Sequence, residues 1–256
     1  MLHTSGNGTK NCIHKRLTGL LIALVFLFTS CQPVLAGETP LYQEIESFPV
    51  TKGVIYEGKT LFTSGGWQKI HVLKVDLNSQ YIDIDTLIGK DGLSARASLS
   101  NMVSESGAVA GINGDFFLMT TPSAPIGGQV SKGKLVSSPS NRKDMASFGL
   151  TTDGIPQLLR MEFSGRVIAP DGSSFQIGGI NKIGNEYSKI FVFTPDFGKT
   201  TPAITDANDA TFVLVIGGKV SQMFTGKSAN IPVNGFVLMA KDEAAGFLKM
   251  HFNEGD

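Results

Sequence analysis

From residue 53 onward, short apolar runs are broken repeatedly by glycine turn pairs. Lys132-Gly133 separates the segment Ile126-Gly127-Gly128-Gln129-Val130 from Leu135-Val136. Asp153-Gly154 follows Phe148-Gly149-Leu150, Asp171-Gly172 follows Arg166-Val167-Ile168, and Gly217-Gly218 closes the run from Phe212 to Ile216. Such pairs favour the tight turns of hairpins. Runs this short leave little room for long helices, so most of the chain must fold as short strands. Two further apolar runs, Ile190–Phe193 and Phe236–Met239, also read as strands.

Period-two alternation places a strand over Leu73, Val75 and Leu77 and another over Ile82 and Ile84, joined as a hairpin by Asn78-Ser79. Between Ser94 and Gly107 the period changes. Leu99, Met102 and Val103 mark a short helix capped by Ser94 or Ser98. It feeds an apolar run, Ala108 to Ile112, that reads as a buried strand. Asp242 to Met250 is amphipathic and predicts a last helix. With no internal repeat and no low-complexity linker, these elements predict one mixed α+β domain, strand-rich, with a few helices.

Residues 1–36 stand apart. Lys10, Lys15 and Arg16 precede an apolar run from Leu17 to Phe28, without any Asp or Glu. This is the pattern of a secretory signal, too short for a comfortable membrane span. Cleavage after Val34-Leu35-Ala36 is one exit. The other is a loose lipobox, Phe28-Thr29-Ser30-Cys31, which would put a lipid on Cys31 and make that the chain's membrane contact; Phe28 is a poor match to the usual Leu, which favours simple cleavage. The only cysteines are Cys12 and Cys31, so the exported chain would carry no disulfide, thiolate nucleophile or cysteine-bound zinc. It would hold 19 basic and 22 acidic residues. That balance offers no basic face for nucleic acid. A secreted or cell-envelope location follows. Residues 37–52, with two prolines, read as an extended lead-in to a domain over residues 53–256.

Much chemistry is excluded. There is no phosphate-cradling Gly-Lys-Ser loop, no Gly-x-Gly-x-x-Gly, no His-Glu-x-x-His, no calcium loop and no Gly-x-Ser-x-Gly elbow. Neither a cofactor nor a metal site is expected. Past the signal only His71 and His251 remain, and His71 reads as a surface imidazole. Carboxylates are left. Asp83 and Asp85 share what reads as a solvated strand side, and Asp206 and Asp209 read as turn residues.

The best-placed carboxylate is Asp115, in Gly111-Ile112-Asn113-Gly114-Asp115-Phe116-Phe117. Polar groups thrown off the end of a strand beside aromatic rings can build a sugar site. The simpler alternative is a tight turn whose Asn and Asp satisfy their own backbone, with both phenylalanines in the core.

The order of segments resembles the phosphodiester glycosidase family. Ala110 to Phe117 is similar to its Asn-Gly-Gly-Phe-Phe core, Pro125-Ile126-Gly127 to its Pro-Ile-Gly step, and Lys132-Gly133-Lys134 to the turn after it. Phe193 to Gly198 and Ile231 to Leu238 resemble later segments. The resemblance runs from about Gly53 to the end. It implies an exported hydrolase acting on a sugar–phosphodiester bond of a glycan. Asn113 would bond a sugar hydroxyl or phosphate oxygen, and Asp115 would act as acid, base or hydroxyl binder. Gly114, Phe116, Phe117 and Gly127 would line the substrate. Two departures accompany it. Asp115 stands where the family often has Gly, and the family's Arg-Thr-Ala and Asn-Leu-Asp-Gly-Gly-Gly-Ser-like segments do not occur. The resemblance therefore implies an amino-terminal portion of such a domain. The alternatives are a non-catalytic envelope carbohydrate-binding module and an inactive fragment of such an enzyme.

Overall fold

The structure, a computed structural model, describes residues 39–256 apart from 121, 141, 143, 144, 185, 186 and 206. The signal segment, Cys31 and Asp206 lie outside the described residues. The chain divides into two compact units. Among the described residues, one comprises residues 39–47 together with 57–72, and the other residues 48–56 and 73–256.

Three strands, β1 (Tyr42–Thr51), β2 (Val54–Thr63) and β3 (Gly66–Val75), form a sheet in that order. The expected extended lead-in is thus largely a strand. Pro49 is compatible with it because β1 is an outer strand, where a missing N–H costs no ladder bond. In the first unit, Trp67 packs against Tyr42 and Phe62, with ring centroids 5.7 and 4.9 Å apart.

The second unit is built on a six-stranded sheet. Its strands are β8 (Arg166–Ile168), β9 (Ser174–Ile180), β10 (Ile190–Phe193), β11 (Ala210–Ile216), β12 (Lys219–Gly226) and β13 (Gly235–Ala240). They lie in the order β12-β11-β13-β10-β9-β8. All pairings are antiparallel except β9 with β10. The central strands are apolar on both sides because both faces are covered. On one face Phe193, Phe197, Phe212, Val237 and Met239 pack together. On the other, Ile190, Val213, Val215 and Leu238 meet Ala244 and Leu248. Those two residues come from the helix Asp242–His251. Its acidic first turn and basic last turn suit the helix dipole. Two small hairpins complete the unit: β4 (Gln129–Ser131) with β5 (Lys134–Ser137), and β6 (Ser147–Leu150) with β7 (Pro156–Leu159). The glycine pairs fall at the hairpin turns as expected.

The α+β expectation needs correction. Only two helices occur among the described residues, α1 (Leu99–Ser106) and α2 (Asp242–His251), against thirteen strands. Two short helices, of which α2 alone packs on the six-stranded sheet, make no helical layer, so the fold is mostly β. Helix α1 keeps its expected ends: Ser98 Oγ accepts from the Asn101 N–H, and Gly107 turns left-handed at φ 72°.

Two expected strands are absent. After β3 the chain turns on Asp76, whose carboxylate accepts the Asn78 N–H, and residues 82–89 run without a ladder partner. Ala108 to Ile112 forms no strand either; Val109 and Ile112 are 60% and 76% exposed. Gly111 lies instead against Leu99 and Val103 of α1. An apolar run becomes a strand only where a neighbour accepts its hydrogen bonds, and among the described residues none does.

Candidate functional site

Asn113 to Phe117 sits at the entrance of a small irregular hairpin in the second unit. Phe117 bridges Pro125, the Leu118 N–H donates to Ala124 O at 2.9 Å, and the Ile126 N–H donates to Phe116 O at 2.9 Å. Three side chains brace it. Asp115 is the first: one carboxylate oxygen accepts the Phe116 N–H at 2.7 Å and the other the Gly127 N–H at 2.6 Å. A side chain at position 127 would press on that carboxylate, so Gly127 is what lets it approach.

Lys182 is the second. Its Nζ donates to the carbonyls of Pro125, Ile126 and Gly127 at 2.7, 3.0 and 2.6 Å. The Pro-Ile-Gly step is thus held from both sides, by its carbonyls and by its last N–H. Arg96 is the third. It bonds Ser123 Oγ at 2.8 Å and Met119 O, and lies over the Phe117 ring at 5.7 Å.

Lys182 is itself placed by Asn181, which is fully buried with φ 52°. The Asn181 amide donates to Val136 O and Thr194 Oγ1, both at 2.7 Å, and its carbonyl oxygen accepts the Thr194 N–H at 2.8 Å. These bonds tie the end of β5 to the end of β10 and turn the chain so that Lys182 reaches the Pro-Ile-Gly step.

Burial pushes the Lys182 ammonium from its ordinary 10.5 down to about 8, while the nearby Asp115 carboxylate works to raise it. Between those two pH values the unfolded chain carries a proton that the folded chain lacks. Stability from this group therefore rises with pH across that window, the cost of the buried charge being fully present below it. Denaturation of the protein between about pH 8 and 10.5 should show this rise, and Lys182→Met should flatten it.

The sequence-derived candidates fall into two groups. Asp115, Phe117 and Gly127 are brought together by the hairpin. Asn113, Gly114 and Phe116 project outward; the Phe116 ring is 77% exposed. Neither phenylalanine is in the core, which corrects that part of the turn reading. The rest of that reading fits Asp115, whose two oxygens hold backbone N–H groups. The other carboxylates lie elsewhere. Asp83 is exposed. Asp85 accepts from Ser131 Oγ at 2.7 Å and from the Lys132 N–H at 3.2 Å, fastening the β4–β5 turn. Partial burial acts to raise its pKa, but these bonds and one from the Thr86 N–H hold it below the usual carboxylate range. Asp209 pairs with Lys227 at 2.7 Å.

Lys182, Arg96 and Asn181 escaped the sequence reading. They are at least 55, 23 and 13 residues from the groups they hold, and no spacing rule links them. Among the described residues, no three of His, Cys, Asp or Glu cluster as metal ligands. A cavity of about 180 Å³ lies beside the start of α1, lined by residues including Lys90, Arg96, Ser98 and Glu105.

No family model matches the chain, and no curated protein matches it. Two solved structures share its fold. One is a hypothetical protein from Synechocystis, at TM-score 0.65 and 17% identity, covering 78% of this chain. This chain spans only 37% of that protein's length. The other is a protein of Burkholderia pseudomallei K96243 provisionally assigned to export, at TM-score 0.69 and 16% identity, covering 88% of this chain and 69% of its own.

Proposed function

We propose that this chain is an exported, glycan-directed protein of the phosphodiester glycosidase type. It would hydrolyse the bond between a sugar anomeric carbon and a phosphodiester in a cell-envelope or extracellular polymer. The observation that carries the reading is the braced but outward-facing segment Asn113–Phe117. An exposed amide and an exposed aromatic ring stand on a backbone fixed by Asp115 and Lys182. Aromatic faces pack on sugar rings, and a fixed amide bonds hydroxyls or phosphate oxygens. The ordered family-like segments support the same reading, and the shared fold with a protein assigned to export supports its exported part alone. No helix among the described residues is long and apolar enough to cross a membrane.

A second reading, a glycan-binding module without turnover, is favoured by one observation. Both Asp115 oxygens already accept backbone N–H groups, which suits a clamp better than a proton shuttle.

The test is release of free reducing sugar from an N-acetylglucosamine 1-phosphodiester by the full chain. Asn113→Ala should lower turnover on the order of tenfold or more, the loss of one good hydrogen bond in the transition state, with an unchanged melting temperature. Equal loss of activity and melting temperature would make Asn113 a structural turn residue. Saturable binding without sugar release would select the module.

A further inference from the structure

We propose that the two outer strands of the β1-β2-β3 sheet are complementary edges, β3 of one copy pairing with β1 of a second copy, so that the chain assembles head to tail. The inference is independent of the proposed function.

Among the described residues β1 and β3 are the outer strands, each with one unpaired backbone edge. An unpaired edge is a template for another strand unless something blunts it; Pro49 takes one donor from the free edge of β1, so the pairing proposed runs along Tyr42 to Phe48. β1 is exposed along almost its whole length. Trp67, the only tryptophan of the chain, is 66% exposed on β3. Large apolar side chains thus stand in water beside both edges, and a further strand on either side would cover them.

The charges select the partner. β1 carries Glu44 and Glu46 and no basic residue. β3 carries Lys69, His71 and Lys74 and no acidic one. The Tyr42–Trp67 ring contact puts these two residues on one face of the sheet. Period-two alternation then carries Glu44, Glu46, Lys69 and His71 onto that face. Within one copy β2 separates the acidic edge from the basic edge by about 10 Å, two strand spacings. Between copies the two edges can lie side by side, where opposite charges attract and like charges repel. A β1–β1 pairing would set glutamate against glutamate, and a β3–β3 pairing lysine against lysine. Both two-fold dimers are therefore disfavoured. The remaining contact, β3 on β1, joins unlike surfaces and must close as a ring or continue as a chain.

The test is sedimentation velocity on the full-length gene product as recovered from its host. At low salt we expect species heavier than a dimer. At about 0.5 M salt, where screening reduces charge attraction to a few ångströms, we expect mostly monomer. Glu44→Lys with Glu46→Lys should give monomer at low salt, and so should Lys69→Glu with His71→Glu. An equimolar mixture of the two variants should recover the heavy species, because each then offers edges complementary to the other. Recovery would also show that both variants fold. A monomer at low salt, a two-fold dimer, an assembly indifferent to salt or charge reversal, or a mixture that stays monomeric would each overturn the proposal. If either variant is unfolded by circular dichroism, the salt series on the unaltered protein decides alone.

Discussion

Asn181→Ala should cost about 3–5 kcal/mol of folding stability, the largest loss expected of any polar substitution near the site. The side chain is fully buried and makes three hydrogen bonds. Alanine leaves Val136 O, Thr194 Oγ1 and the Thr194 N–H without that partner. Each orphaned buried group costs about 1 kcal/mol or more. The backbone adds a second penalty. At φ 52° asparagine is tolerated, whereas alanine pays about 1 kcal/mol for the left-handed region. Asn181→Gly separates the two terms, because it relieves the backbone strain and restores no hydrogen bond. Urea denaturation should therefore rank wild type above Asn181→Gly and Asn181→Gly above Asn181→Ala. A variant as stable as wild type would mean that the β5–β10 tie is dispensable.

Lys182→Met should loosen the Pro125–Gly127 step more than it lowers overall stability. Methionine keeps most of the stem but removes all three donors. The three carbonyls are only half-buried, so water can reach them and the global cost is held to about 2–3 kcal/mol. Locally the effect is larger in kind, since Lys182 and Asp115 hold opposite sides of one short step. Amide exchange at Ile126 and Gly127 should accelerate on the order of tenfold or more, while β11 and β13 keep their protection. Asp115→Ala should reproduce the effect at Gly127 and Phe116, because it removes the acceptor of both N–H groups. Unchanged exchange in both variants would show that the hairpin holds itself.

What was legible in the sequence is what local chemistry dictates. Asp171-Gly172 and Gly217-Gly218 mark real turns because positive φ is a property of the residue, and both glycines at 217–218 take it. Ser98 bounds α1 by accepting the Asn101 N–H, and Gly107 by its positive φ. Ala108–Ile112 misled because an apolar run has no strand identity without a partner edge; here it lies along α1 in partial exposure. β1 was missed because Pro49 and scattered charge suggest a linker, and only its edge position makes the strand tolerable. The α+β expectation gave too much weight to two short helices, of which only α2 packs on a sheet. Asp115 and Gly127 could be named beforehand, but their mutual contact could not. The bracing cations Arg96 and Lys182 come from distant segments, and a lone Arg or Lys carries no signal in a chain whose charges balance.

The central claim is that the Asn113–Phe117 segment faces a glycan. The most direct measurement is amide and side-chain chemical-shift mapping of the full chain, titrated with an N-acetylglucosamine 1-phosphodiester. The expected result is saturable shifts at the Asn113 side-chain amide and at the backbone of Gly114, Phe116 and Gly127. Shifts confined to other surfaces, such as the cavity at Lys90 and Ser98, or none at saturating ligand, would contradict it.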